Sequence, residues 1–211
     1  MEIPEKISNI MQRILESEDD WKALYMASWG AVFHWLEPEY KNTALWDKPL
    51  KLGLPASKKG YQEYTPSQLC GILKSKDIYF TLNHLQTLFS LLEELTAELC
   101  PIMCNGLNIN TFQFKHCEDF LLGKDPYQNF KTGILVSEIK ELRLAKETRN
   151  CFIHSKSKVD KKWLEAFKES RGIDSEAKIG DKLPVYVPQV EEWHELCKQI
   201  VSKIKIAVLQ S

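Results

Sequence analysis

Arg149 and His154 are the two side chains of this sequence best suited to act together on a phosphodiester. The chain carries 24 lysines and only four arginines, Arg13, Arg143, Arg149 and Arg171, and one of these stands five positions before a histidine. Arginine presents a rigid planar fork of donors that fits phosphate oxygens, and histidine is the side chain whose proton moves near neutral pH. Those are the two requirements of RNA cleavage without a metal. A base removes the 2′-hydroxyl proton so that this oxygen attacks phosphorus, and a fixed cation offsets the charge developing on the phosphoryl oxygens. Five residues on a regular helix place Arg149 and His154 about 140° apart. They converge only if the helix distorts or ends, or if a second copy supplies the counterpart across a two-fold axis. Glu147, Asn150, Cys151 and His154 fall instead on one face, at i, i+3, i+4 and i+7. Asn150 is therefore expected to orient the imidazole, with Glu147 in support.

The net charge of −1 conceals an asymmetry: residues 140–171 carry ten basic side chains against five acids, so this segment is +5 and the remainder −6. Lys156, Lys158, Lys161 and Lys162 come directly after the histidine and are the expected RNA-binding residues, because a local basic surface recruits a polyanion within a screening length of roughly 10 Å. The alternative for such a tract is a solvated helix face.

The elements that must position these residues read as helices. Apolar residues from Ile7 to Leu36 keep helical spacing, as one long helix or as two with a break at 17–20, and Pro38 ends the run. The stretch 37–64, with three prolines and two glycines, reads as a long loop. Thr65-Pro66-Ser67-Gln68 is a capping box with proline at the first helical position, opening a short helix to about Lys74; a second, strongly periodic one runs from Asp77 to Pro101. Short helices are expected over 112–122 and 160–171, the latter capped by Asp160 and stopped by Gly172. Longer ones are expected over 134–153 and 189–209, with a brief extended segment at 182–187. Helices without alternating strands imply an all-α bundle, read as a single domain over 1–211 with a long N-terminal helical extension.

The string from Glu141 to His154, with its Arg149-Asn150-x3-His154 core, resembles the motif helix of the HEPN superfamily, whose signature is Arg-x4-6-His with a polar residue after the arginine. The basic loop leading to Val159-Asp160-Lys161-Lys162-Trp163 and the Gly180-Asp181-Lys182-Leu183 turn before a last helix are similar as well, so that the resemblance spans about 134–210. It implies a helical bundle that pairs as a homodimer with two motifs facing one cleft. It also implies metal-independent endoribonuclease activity by Arg149, His154 and Asn150, with no cofactor, and a role as a toxin or phage-defence effector, with an antitoxin or other defence protein as partner. Where many antitoxin-paired members have a tyrosine two residues after the histidine, this chain has Lys156.

Other constellations carry less. Cys100, Cys104, His116 and Cys117 supply four zinc-type ligands, but without the two-residue spacing of a zinc knuckle and with Pro101 inside the first pair; no metal is assigned. His34, His84 and His194 lie in helical runs and read as packing histidines. Trp21 and Trp29 fit a core stripe, whereas Trp46 in the 37–64 loop is placed to stack on a base. The six cysteines are irregularly spaced, the N-terminus lacks a signal-peptide pattern, and no apolar run is long enough for a membrane span, so a reduced, cytoplasmic chain is expected. No Gly-rich phosphate loop, GxSxG elbow or HExxH occurs. The competing readings are a non-catalytic RNA-binding or dimerisation module, and a ligand-binding bundle with 37–64 as a lid.

Overall fold

The computed structural model describes residues 3–36, 50–53, 61–103, 114–122, 124 and 132–210. Its elements run α1 (Ile3–Leu36), β1 (Leu50–Gly53), β2 (Tyr61–Tyr64), α2 (Pro66–Met103), α3 (Phe114–Leu121), α4 (Val136–His154), α5 (Lys161–Arg171) and α6 (Val187–Gln210). The all-α architecture holds, with one addition. Inside the stretch expected to be a loop, β1 and β2 pair antiparallel, with Leu50 opposite Tyr64 and Gly53 opposite Tyr61.

Two boundaries differ from the periodicity. Ser17 to Asp20 does not break α1, and the two helices expected on either side of Lys74 are one, α2, which also runs through Pro101. Polar residues at 17–20 and 74–77 interrupt an apolar stripe but not a backbone: none of them removes an amide or adds a ring, as proline would. The capping box forms as read, with the Thr65 amide donating to Gln68 Oε1 at 2.9 Å and the Gln68 amide to Thr65 Oγ1 at 3.1 Å.

The chain divides into two compact units, one of Met1–Glu18 with Thr81–Ser211 and one of Asp19–Phe80. The second holds the β1–β2 hairpin and a tilted aromatic pair, Trp21 and Tyr25, with ring centroids 6.4 Å apart. The first holds the motif. Its core is built from the stripes the spacing predicts: Ile7, Ile10 and Ile14 of α1; Leu82, Leu85, Leu88, Phe89, Leu92, Leu95 and Leu99 of α2; Phe120 of α3; and Val190, Trp193, Cys197, Ile200 and Ile204 of α6. At about 25 cal/mol per Å² of apolar surface removed from water, such stripes are the dominant force holding the helices together. Within the described residues no helix is long and apolar enough to cross a membrane.

Polar anchors fix α4 against α3, α5 and α6. Glu141 accepts from Arg171 Nη2 at 2.7 Å, from the Trp193 indole Nε1 at 2.8 Å and from Ser170 Oγ, tying three helices to one carboxylate. Arg143 is held bidentate by Glu118, at 2.9 and 2.8 Å, and by Glu169 at 2.5 Å; the hydrogen bonds to these carboxylates raise its pKa further. Among the described residues six of the ten basic residues of segment 140–171, Arg143, Lys146, Arg149, Lys161, Lys168 and Arg171, stand within 4.0 Å of a carboxylate, Arg143 and Arg171 joining helices.

Candidate functional site

α4 starts where the Glu138 carboxylate reaches back to accept the Leu135 amide at 2.7 Å, and it continues without interruption through the motif to His154. Its inner face is closed by Leu142, Ala145, Thr148 and Cys151. Thr148 accepts a 2.9 Å hydrogen bond from the buried Trp163 Nε1, which locks the first turn of α5 onto the motif helix. Burial pushes the Cys151 thiol up to about 12. A neutral thiol beside the motif is packing rather than a nucleophile.

The helical arithmetic is realised in the structure. Arg149 turns toward α2, with only 16% of its side chain exposed, its Nη1 3.9 Å from Glu93 Oε1 and its guanidinium carbon 5.5 Å from the centre of the Phe89 ring. Its Nη2 donates to Asn150 Oδ1 at 3.2 Å, and its buried Nε has no hydrogen-bond partner among the described residues. His154 stands exposed at the last position of α4. The two do not meet within one chain.

Asn150 is committed elsewhere than to the imidazole. Its Nδ2 donates to Glu147 Oε2 at 3.1 Å while its Oδ1 takes the arginine, and Lys146 Nζ lies 3.4 Å from the other oxygen of the buried Glu147. Asn150 and Glu147 therefore brace Arg149, a role that their shared face with His154 did not suggest.

Immediately after His154 the chain makes a tight, unusual turn. The amides of Ser155 and Ser157 both donate to the Cys151 carbonyl at 3.0 Å, and Lys156 and Ser157 adopt left-handed φ values of 54° and 61°. Consecutive non-glycine residues in that region cost roughly 1–2 kcal/mol each and persist only where neighbouring structure imposes them. Here the neighbour is the Gly180-Asp181-Lys182-Leu183 turn: Val159 and Asp181 bond amide to carbonyl at 2.9 Å, as do Leu183 and Ser157, around an antiparallel bridge between Lys158 and Lys182. Buried Val159 and Leu183 pin both strands of this bridge to the core.

Lys156, Lys158, Lys162 and Lys182 are all exposed; Lys161 faces Glu165 at 3.6 Å across one helical turn. The nearby acids are engaged by backbone: Asp160 caps α5 by accepting the Trp163 amide at 2.9 Å, and Asp181 accepts the Lys178 amide at 2.7 Å. Lys182 joins the cluster although 24 residues of sequence separate it from Lys158.

Among the described residues a second polar cluster lies in the core of the same unit. His84 and His194 are buried, their Nε2 and Nδ1 3.2 Å apart, and His194 Nε2 is 2.8 Å from Glu18 Oε2. Glu18, His194 and Glu195 bring ligand-type atoms within 4.8 Å of one another, but Lys198 Nζ already stands 2.7 Å from Glu195 and 3.8 Å from Glu18. An ammonium thus supplies the positive charge these carboxylates need. The side chains of Cys100, Cys104, His116 and Cys117, and that of Trp46, lie outside the described residues. Compared with family models, with curated proteins and with solved structures, the chain matches none.

Proposed function

We propose that this protein is an endoribonuclease of HEPN type that works as a homodimer, with His154 as general base and Arg149 as phosphate clamp. The observation that carries the reading is an exposed histidine at the last position of α4, followed in the chain by exposed Lys156 and Lys158, with Lys182 bridged to Lys158; none of the three lysines has an ion-pair partner among the described residues. Lysines attract the RNA backbone, and an imidazole open to solvent can take the 2′-hydroxyl proton. The 2′ oxygen then bonds to phosphorus, the bond from phosphorus to the 5′ oxygen breaks, and that oxygen leaves with a proton from solvent. The products are a 2′,3′-cyclic phosphate and a 5′-hydroxyl.

Among the described residues Arg149 donates one hydrogen bond, to Asn150, and its Nη1 stands 3.9 Å from Glu93, so on this reading a phosphate would take the place of that longer ion-pair contact. Because Arg149 and His154 leave α4 in different directions, the reading requires each cleft to combine groups from two copies. A toxin or phage-defence role, with a protein inhibitor as partner, rests on the resemblance of residues 134–210 alone. The test is incubation of purified protein with single-stranded RNA in EDTA, and then analysis of the ends. Wild type is expected to leave cyclic phosphates and His154→Ala to leave RNA intact; identical behaviour of the two defeats the catalytic role.

A second reading has its own observation. The packing of Arg149 against Phe89 and Glu93 is what a structural arginine shows, and it favours a non-catalytic RNA-binding module. That reading expects salt-sensitive RNA binding without scission.

A further inference from the structure

Lys158 and Lys182 occupy the one backbone arrangement that forces two side chains together. The bonds flanking their bridge, Val159 amide to Asp181 carbonyl and Leu183 amide to Ser157 carbonyl, make it a non-hydrogen-bonded antiparallel pair. At such a position the α-carbons approach to about 4.5 Å and both side chains rise on the same face. Like charges directly opposite one another are destabilising there, and neither Lys158 nor Lys182 has an ion-pair partner among the described residues. The bridge also requires two left-handed residues, Lys156 and Ser157. Two exposed lysines that the backbone places opposite one another suit a ligand of opposite charge.

We infer that Lys158 and Lys182 form a phosphate clamp that grips the RNA backbone beside the scissile phosphate, with Lys182 a binding residue of the same standing as those next to His154. The inference rests on the ribonuclease reading for its substrate, but the clamp binds phosphate and not the reacting 2′-hydroxyl. A strand that cannot be cleaved therefore tests it separately. The turn from Ser155 to Lys158 is short, so the clamp sits within a few residues of the imidazole, and the strand it holds runs past His154.

The experiment measures binding of a fully 2′-O-methylated oligonucleotide by fluorescence anisotropy across a range of salt, with melting temperatures recorded for every variant. Lys182→Ala and Lys158→Ala are each expected to weaken binding about tenfold and to lower the slope of log affinity against log salt by about 0.7. Lys182→Glu is expected to abolish binding while raising the melting temperature, since it replaces a repulsion by an ion pair. Lys140→Ala, exposed and about 21 Å away at the other end of α4, removes the same charge and should leave binding unchanged.

The clamp is overturned if wild type does not bind the oligonucleotide, if Lys182→Ala retains wild-type affinity and slope, or if Lys140→Ala costs as much as Lys182→Ala. Failure of the ribonuclease reading looks different: the methylated strand binds with the expected lysine dependence, and unmodified RNA stays intact with wild type.

Discussion

Arg149 and His154 belong to one unbroken helix, yet the guanidinium lies over the Phe89 ring on the α2 side while the imidazole is exposed at the helix end. On the proposed reading, a cleft that uses both draws them from two copies. Mixing inactive Arg149→Ala with inactive His154→Ala is then expected to recover activity, about a quarter of wild type if subunits exchange freely, because half the dimers hold one intact composite cleft. RNA cleavage after co-refolding measures this. No recovery, with dimers formed, would place both groups in a single subunit.

The hydrogen bond from Trp163 Nε1 to Thr148 Oγ1 joins α5 to the motif helix inside the core. Thr148→Val keeps the shape but leaves a buried indole N–H without an acceptor, which is expected to lower stability by about 1–3 kcal/mol in urea unfolding. Adding Trp163→Phe to Thr148→Val should cost less than the two single changes summed. Strict additivity would mean that the bond contributes nothing.

At Ser157 the backbone, not the side chain, decides tolerance. With φ at 61°, Ser157→Gly is expected to be neutral or stabilising, whereas Ser157→Val should destabilise by about 1–2 kcal/mol, because branching at Cβ is least compatible with the left-handed region. Equal melting temperatures for the two variants would show that the turn relaxes out of that conformation in solution.

Cys151 and Cys197 are both pushed up to about 12 by desolvation. Neither should react with a thiol reagent at pH 8 in the native state, and both should react on unfolding. The unfolded thiol ionises near its ordinary 9.0 while the folded one, with its raised value, stays protonated; stability is therefore full below pH 9 and declines as pH rises toward 12. Urea midpoints measured at pH 8 and pH 10.5 check this, and Cys197→Ala should flatten the decline.

Helical order from α3 onward was legible in the residues themselves. The Asp160 cap and the Gly172 stop bound α5 because capping is a local matter between one side chain and the nearest amides. The angular separation of Arg149 and His154 was legible for the same reason, since a helix converts sequence spacing directly into direction. The extent of α2 and the strands at Leu50–Gly53 and Tyr61–Tyr64 were not: a polar interruption leaves helix propensity intact, and strands of four residues are too short for a period of two to stand out. The sequence also left the partners of Asn150 open, because a shared face offers neighbours in both directions. In the structure its amide is taken up inside α4 itself, by Glu147 one turn earlier and by the adjacent Arg149. Only the fold could bring Lys182 to Lys158, for that contact is made by backbone bonds between two loops whose register nothing in their own composition determines.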